Sequence, residues 1–272
     1  MATEHRVPIF HGDGRNGKTT ETQAVAAVLG DYAGVADPEL LLAQGRNRQS
    51  GSATSDIMSL RGKRLISCSE TEQGRHFNAS KFKWLSGGNT LTGRDLYGRD
   101  QVTFPPTHKV ILDTNHRPHV DADDYAFWQR VILIPFTRAF VPFPALEHEK
   151  LADPNLPEKL KEEASGILAW MVRGCLSWQN DGLPMPSKAK EATSEYRADE
   201  DTIGQFIDDR CQTGESYRIK ASILYQNYEK WAREQGFHPL NSKNFGTKIK
   251  AKFDSYKDRT GVFYVGLSVL PE

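Results

Sequence analysis

Cysteine is scarce and scattered: Cys68, Cys175 and Cys211 are the three in 272 residues, odd in number and in no C-x-x-C spacing. That excludes a zinc site of paired cysteines and a disulfide framework, and it fits a reducing compartment. No apolar run approaches the ~20 residues of a membrane span, and the stretch from Met1 to His11 lacks a signal-peptide core. The expectation is a soluble cytoplasmic protein with no membrane partner. Net charge is also missing, since 35 Lys and Arg balance 35 Asp and Glu, so total charge does not advertise a nucleic-acid partner. Its distribution is more informative. Residues 141–202 hold seven basic against twelve acidic side chains, and 203–272 hold eleven against eight. An acidic middle separates a slightly basic front from a basic tail. The length accommodates two domains at ~100–200 residues each.

What is present, almost from the start, is Gly12-Asp13-Gly14-Arg15-Asn16-Gly17-Lys18-Thr19, followed by Thr20. It lies between an apolar run (Val7, Pro8, Ile9, Phe10) and a helical pattern over residues 22–29. G-x-x-x-x-G-K-[ST] is a phosphate-binding loop. Its glycines let backbone N–H groups turn inward around phosphate oxygens, Lys18 reaches the outer phosphates, and the Thr19 hydroxyl can ligate Mg²⁺. The positive end of the following helix points at the same anion. The loop therefore implies a nucleoside triphosphate, with ATP and Mg²⁺ as the expected cofactors.

Later segments read as parts of the same site. Asp37-Pro38 starts a brief helix before Leu40-Leu41-Leu42, and residues 46–59 read as a polar surface loop. Residues 64–68 (RLISC) form a β-favouring run that delivers an acid at its end, as a Mg²⁺ and water-activating carboxylate requires. Glu70 is the choice and Glu72 the reserve. Residues 78–85 read as an amphipathic helix presenting Phe82 and Leu85 on one face. Residues 90–104 read as a hairpin with Arg94, Tyr97 and Arg99 near its tip. Such a trio suits a nucleic-acid strand, with arginines on phosphates and tyrosine on a base; the other reading is a solvated hairpin. A second buried-strand run, residues 109–115, ends in Asn115, which can donate to the γ-phosphate and hold the attacking water. A short helix over 124–129, Arg130 and the apolar run 131–135 follow. Strands alternating with helices, and polar groups at strand ends, predict a parallel α/β sheet with its ligand at the carboxyl edge.

Taken in order, GDGRNGKT, RLISCSETEQG, KWLSGGNTLTGRDLYGR, KVILDTNHRP and FWQRVILIPF resemble the superfamily 3 helicases, most closely the helicase portion of phage and plasmid primase-helicases. The resemblance covers about residues 7–138. It implies an AAA+ type ATPase that forms rings, usually hexamers, and translocates along single-stranded or forked DNA. It further implies that Lys18 and Thr19 hold nucleotide and metal, that Glu70 is the acid of the second motif, and that Asn115 is the sensor. By the same resemblance Arg130 is an arginine finger for the neighbouring subunit's nucleotide, and Arg94, Tyr97 and Arg99 lie in the segment that carries the pore hairpin. Many members place two adjacent acids at the second motif, whereas here the first is Ser69. Such proteins also carry a collar, and often a primase domain, before the ATPase; about ten residues precede the loop here.

The rest divides by composition and period. Residues 141–157 are Pro-rich and acidic, a linker by composition; residues 160–178 read as one helix whose Leu160, Ile167, Leu168, Met171, Val172 and Leu176 pack on the sheet. Residues 187–201 read as a polar helix or connector. In the tail, residues 203–211 and 218–235 read as helices. A third helix, capped by Asn241 or Ser242, leaves Lys243, Lys248, Lys250 and Lys252 outside, and residues 262–265 read as a wing strand. Helices followed by a wing are similar to the winged-helix tail of the same family. Its basic helix would contact DNA, or else serve a protein-interaction module. The expected architecture is thus α/β: an AAA+ type P-loop ATPase domain over 1–140, an acidic linker and helical connector over 141–202, and a small α+β winged-helix domain over 203–272. The expected activity is that of an ATP-hydrolysing DNA helicase of a phage or mobile-element replication protein. It would assemble with itself and engage replication-initiation proteins, in the bacterial host cytoplasm if phage-encoded. Two rivals stand beside it: an ATPase that remodels protein complexes without unwinding, and a nucleotide-switched DNA-binding assembly factor. DNA-stimulated turnover separates the first from a helicase, and processive unwinding the second.

Overall fold

In the computed structural model, which describes residues 4–44, 53–69 and 71–270, the first apolar run becomes strand β1 (Val7–His11). The phosphate loop follows and leads into α1 (Lys18–Leu29). Gly17 just before it holds φ at 91°, a left-handed conformation that costs glycine little and other residues much. After β2 (Ala33–Ala36), Asp37 caps a single 3₁₀ turn by accepting from the Glu39 N–H, and the turn delivers Leu40, Leu41 and Leu42 to the core. Half of the polar segment read as a loop, residues 46–52, lies outside the described residues; its end forms the short α2 (Ser55–Met58). Next comes β3 (Leu65–Ser69), and then α3 (Ala79–Ser86), where Asn78 Oδ1 accepts from the Lys81 N–H at 3.0 Å and Phe82 and Leu85 are buried. β4 (Leu91–Gly93) and β5 (Val102–Phe104) pair antiparallel as the arms of the expected hairpin. β6 (Lys109–Thr114), α4 (Tyr125–Trp128) and β7 (Val131–Pro135) complete the series.

Five of these strands form a parallel sheet in the order β2-β3-β6-β1-β7. Ile9, Ile66, Cys68, Leu112 and Leu133 are buried in it, as expected of strands covered on both faces. The register pairs Ser69 with Asp113 and His11 with both Thr114 and Pro135, so four strands end level at one carboxyl edge. That edge carries the phosphate loop.

Residues 141–197 join this unit, because the chain divides into Met1–Arg197 and Ala198–Glu272. The stretch read as a linker contains β9 (Glu149–Leu151), paired in parallel with β8 (Ala139–Val141) at its leading end. The single helix expected over 160–178 is two, α5 (Leu156–Glu162) and α6 (Ala164–Asp181), separated at Glu163. Neither holds a buried residue, and Leu168, Trp170, Val172 and Leu176 are all about half exposed or more, so the expected core role is corrected. The inward stripe of α6 is instead Ala164, Ile167, Met171 and Trp178, and the helix lies along α1. α7 (Ser187–Glu200) has a charged composition but is no free connector. Tyr196 is fully buried, packs edge-on against Trp128 at 5.0 Å and donates to Pro118 O, while Leu133 N–H donates to Thr193 Oγ1. Ala189, Thr193 and Tyr196 recur at helical spacing, which is why a polar sequence still presents one packed face.

The second unit orders its elements as α8 (Thr202–Arg210), β10 (Cys211–Lys220), α9 (Ala221–Glu234), α10 (Ser242–Lys252), β11 (Ser255–Asp258) and β12 (Gly261–Val269). Residues 218–220, read as the start of a helix, instead end β10, which pairs antiparallel with β12 and exchanges backbone bonds with it. The small sheet runs β10-β12-β11. Phe206, Tyr228, Trp231, Phe245 and Ile249 fill a core of the unit's own. The unit thus runs helix, strand, two helices and a two-stranded ribbon, where three helices and one wing strand were expected.

Candidate active site at the phosphate loop

Gly12 and Gly17 shape the loop. A Cβ on Gly12 would sit 2.3 Å from Phe136 O and 2.6 Å from Asn16 Nδ2, so only glycine fits where the loop leaves β1. Beyond it a cavity of about 260 Å³ opens, lined by residues 14–20 together with Ser69, Asp113, Thr114 and Asn115. The sequence-predicted Gly14, Arg15, Asn16, Gly17, Lys18, Thr19, Thr20 and Asn115 thus meet at one place, although Asn115 is 97 residues from Lys18.

Lys18 is the centre of this cavity. Its ammonium donates to Gly12 O at 2.5 Å, Asn115 Oδ1 at 2.9 Å, Asn16 Oδ1 at 3.0 Å and Asp13 O at 3.3 Å. Burial lowers its pKa, and the carboxylates of Asp113 and Asp13 oppose that shift. Because Asn115 spends its amide oxygen on Lys18, its amide nitrogen remains as a donor for an anion. Asn16 is buried and works in two directions, accepting from Lys18 and donating to Phe136 O at 3.4 Å.

Asp113 escaped the sequence reading. It is buried at the end of β6, its Oδ1 accepts from Thr22 Oγ1 at 3.3 Å, and its Oδ2 has no partner among the described residues. Burial raises its pKa, while the Thr22 hydroxyl and Lys18 pull it down. The signal was available: Asp113 is the acid in the same apolar run, two residues before Asn115. The Thr71 and Thr114 hydroxyls lie 2.5 Å apart, and one donates to the other while the other donates to His116 O, which ties the segment after β3 to the end of β6. Glu70 lies outside the described residues. The reserve acid, Glu72, is not at the cavity: its side chain is 83% exposed and pairs with Arg75.

An orphaned buried carboxylate oxygen and the Thr19 hydroxyl at one cavity form a hard-oxygen donor set that fits Mg²⁺ and its water shell. Asp113→Asn tests this. A folded-state pKa held above the unfolded one means the ligand-free protein loses stability as pH rises through the carboxylate range. The neutral isostere should therefore leave the ligand-free protein at least as stable at pH 7, yet lower Mg²⁺-dependent turnover by ~10–100-fold, the usual scale for a residue behind a metal. Thermal melts paired with a Mg²⁺ titration of turnover check both halves.

The remaining candidates lie elsewhere in the fold. Arg130 sits between α4 and β7, at the amino edge of the sheet opposite the loop, where its Nη1 donates to Ala126 O. In the hairpin, Arg94 folds back on Gly98 O at 3.0 Å, whereas Arg99 is exposed. Tyr97 is 93% exposed with φ at 66°. On α10, Lys243 and Lys250 are exposed and Lys248 is half-buried, but Lys252 pairs with Asp201 at 3.1 Å and helps fasten α10 to the start of α8.

A parallel sheet in this order, with a phosphate loop on β1 and a polar amide at the end of the adjacent β6, defines a phosphate-loop NTPase fold of the AAA+ type. Comparison with known proteins then narrows the kin. Residues 198–264 match the family described as "Poxvirus D5 protein-like", and residues 10–130 match one described as "Family of unknown function (DUF5906)". A protein of Acanthamoeba polyphaga mimivirus named "Putative helicase" is 27% identical over 93% of this chain and 28% of its own length. One of Frog virus 3 with the same designation is 27% identical over 90% of this chain and 26% of its own length. A "Putative primase" of African swine fever virus is 27% identical over 74% of this chain and 22% of its own length. The chain thus spans about a quarter of the length of these relatives. Among solved structures, the NrS-1 C terminal region superimposes with a TM-score of 0.54 at 12% identity, covering 96% of this chain and 66% of that one, a likeness of fold. The matches at both ends and the names of the viral relatives agree with the superfamily 3 primase-helicase family that the motifs resemble. The curated relatives come from large DNA viruses rather than from phages or plasmids.

Proposed function

We propose that the chain is the ATP-driven motor of a DNA replication helicase, hydrolysing ATP between subunits of a homo-oligomeric ring, a hexamer by family resemblance, and moving along single-stranded or forked DNA in the host cytoplasm. The single observation that carries the reading is the bond from Lys18 to Asn115. It joins the phosphate loop to the amide at the end of the neighbouring strand, where a γ-phosphate and an attacking water must be held. Mg²⁺, held by Thr19 with Asp113 behind it and Glu70 as the expected acid, would supply charge neutralisation at the phosphates. Lys18 binds the outer phosphates as they displace its loop carbonyl partners. Asn115 orients the water, and Arg130 of a neighbouring copy adds the second cation.

The DNA contact in this reading is the hairpin tip. A bulky residue in the left-handed region costs about 1–2 kcal/mol, and Tyr97 adopts it with almost its whole side chain in water. That geometry displays an aromatic face to a base. Arg94 braces the turn from within and Arg99 is left for phosphate. Lys243 and Lys250 would give the tail a similar phosphate contact. Base stacking on an aromatic is worth ~1–3 kcal/mol, so Tyr97→Ala should weaken single-stranded DNA binding by ~5-fold or more and remove most DNA stimulation, with DNA-free turnover as the reference. Unchanged affinity and stimulation would remove the hairpin from the DNA path.

A further inference from the structure

Helix α3 stands between the two parts of the first unit that the proposed function needs in step, the hairpin and Arg130. It is joined to both. On the hairpin side, Thr54 at the start of α2 exchanges two hydrogen bonds with the residue that follows β4: its N–H donates to Arg94 O at 2.8 Å, and its Oγ1 accepts from the Arg94 N–H at 2.7 Å. A Cβ on Gly93 would sit 3.1 Å from Met58 Sδ, so β4 lies directly on α2. Asp56 of α2 then pairs with Lys81 of α3 at 3.8 Å.

On the other side, Lys83 Nζ donates to Asp124 Oδ2 at 2.7 Å and to Oδ1 at 3.1 Å. Oδ1 also accepts from the Phe127 N–H at 3.0 Å, so the carboxylate that Lys83 grips is the cap of α4. That helix is a single turn, too short to keep its shape unaided. Its far end sets Arg130, whose N–H donates to Phe127 O at 2.8 Å and whose Nη1 donates to Ala126 O. The Phe82 and Phe127 rings, 4.5 Å apart between centroids, pack α3 onto α4 beside the ion pair. Lys81 and Lys83 are two residues apart, about 200° around a helix, so one short element reaches in both directions.

We propose that Lys83 is a positioning residue for Arg130, and that the Lys83–Asp124 ion pair is the joint through which DNA on the hairpin acts on that arginine. The inference rests on the function proposed above and names the path between its two sites. A strand held by Tyr97 and Arg99 loads the hairpin, whose β4 arm is fastened to α2. Asp56 of α2 carries Lys81, and with it α3; Lys83 at the other side of α3 then draws Asp124 and the turn that aims Arg130 at the neighbouring copy. Both side chains of the pair are less than a third exposed, so salt screens it less than a surface pair. The aromatic contact holds α3 on α4 without fixing an angle. The ion pair adds direction, because a charged hydrogen bond to the cap fixes where the turn begins.

Two quantities test this on the full chain, at concentrations where wild type is assembled: affinity for single-stranded DNA, and the ratio of turnover with DNA to turnover without it. Lys83→Met removes the cation and keeps the apolar stem. Asp124→Asn removes the charge and keeps a capping side chain, so it carries the test even where the first variant fails to fold. In each, DNA affinity should stay within ~2-fold while the stimulation ratio falls ~5-fold or more, the lower end of ordinary coupling between two sites. The double variant should lose no more than either single one, and Lys83→Arg should keep most of the stimulation. A wild-type ratio in both single variants would overturn the inference, as would losses that multiply in the double variant. A fall in DNA affinity as large as the fall in stimulation would show the pair merely supporting the hairpin, and would overturn it too. Wild type whose turnover ignores DNA would overturn the proposed function and the inference with it.

Discussion

Arg130→Ala should bind ATP nearly as tightly as the wild type and hydrolyse it about 10³-fold more slowly, the contribution of an arginine finger in phosphate-loop enzymes. The geometry behind this expectation is simple. Arg130 immediately precedes β7, whose far end, Pro135, is level with His11 at the loop edge. At ~3.3 Å per residue, five residues separate Arg130 from that edge by roughly 16 Å, farther than an arginine side chain reaches. In its own subunit the guanidinium therefore serves no nucleotide. Its Nε is buried without a partner among the described residues, and its Nη1 donates to Ala126 O of α4. If it completes a nucleotide site, as proposed, that site belongs to another copy. Specific activity should then rise more than linearly with protein concentration as subunits associate. Mixing Arg130→Ala with Lys18→Ala should restore part of the turnover, since the intact loop of the first would face the intact finger of the second. No recovery in proven mixed oligomers would transfer the role to Arg138 or Arg117. Each of those has a present partner: Arg138 donates to Glu147 O, and the Arg117 guanidinium lies 5.2 Å from the Tyr196 ring centre.

Lys18→Ala should lower turnover at least ~100-fold, the scale of losing one charge partner of the transition state. The structure makes the loss broader than one charge, because the same ammonium anchors Asn115 and Asn16. Removing it frees the Asn115 amide and slackens the Asn16 bridge to Phe136. Arg15 cannot substitute, since it is exposed and lines the pocket on the far side of the loop as well. ATP binding should weaken alongside turnover. Single-turnover measurements at saturating ATP separate the two effects, and wild-type turnover in this variant would end the motor reading.

Much of this was legible before any coordinates. The loop, the runs ending at Ser69 and Asn115, the helix capped by Asn78 and the hairpin arms each carry a strong local signal: glycine spacing, a β-branched run, a capping side chain, or an alternation. What escaped depended on pairing across the chain. Residues 139–151 form strands only because β8 and β9 find each other, and nothing in a Pro-rich acidic stretch announces it. The charged α7 docks through a narrow stripe ending in Tyr196, which composition conceals. α6 misled in the opposite sense, since its apolar residues encircle the helix and only one stripe meets α1. Cys211–Lys220 becomes a strand because β12 is there to pair with it, a tertiary partner outweighing local preference. Asp113 carries a weaker sequence signal than Asn115 at the end of the same run, and its orphaned oxygen is visible only once the fold brings Thr22 and Lys18 beside it.

The central claim is that DNA on the hairpin and ATP in a shared site are coupled. The most direct measurement is the ATPase rate of the wild-type chain with and without single-stranded DNA, across protein concentrations at which its mass in solution is known. The account predicts turnover that is low in the monomer, rises steeply with assembly, and rises further on adding DNA. Turnover that is flat across monomeric and oligomeric concentrations and indifferent to DNA would contradict it.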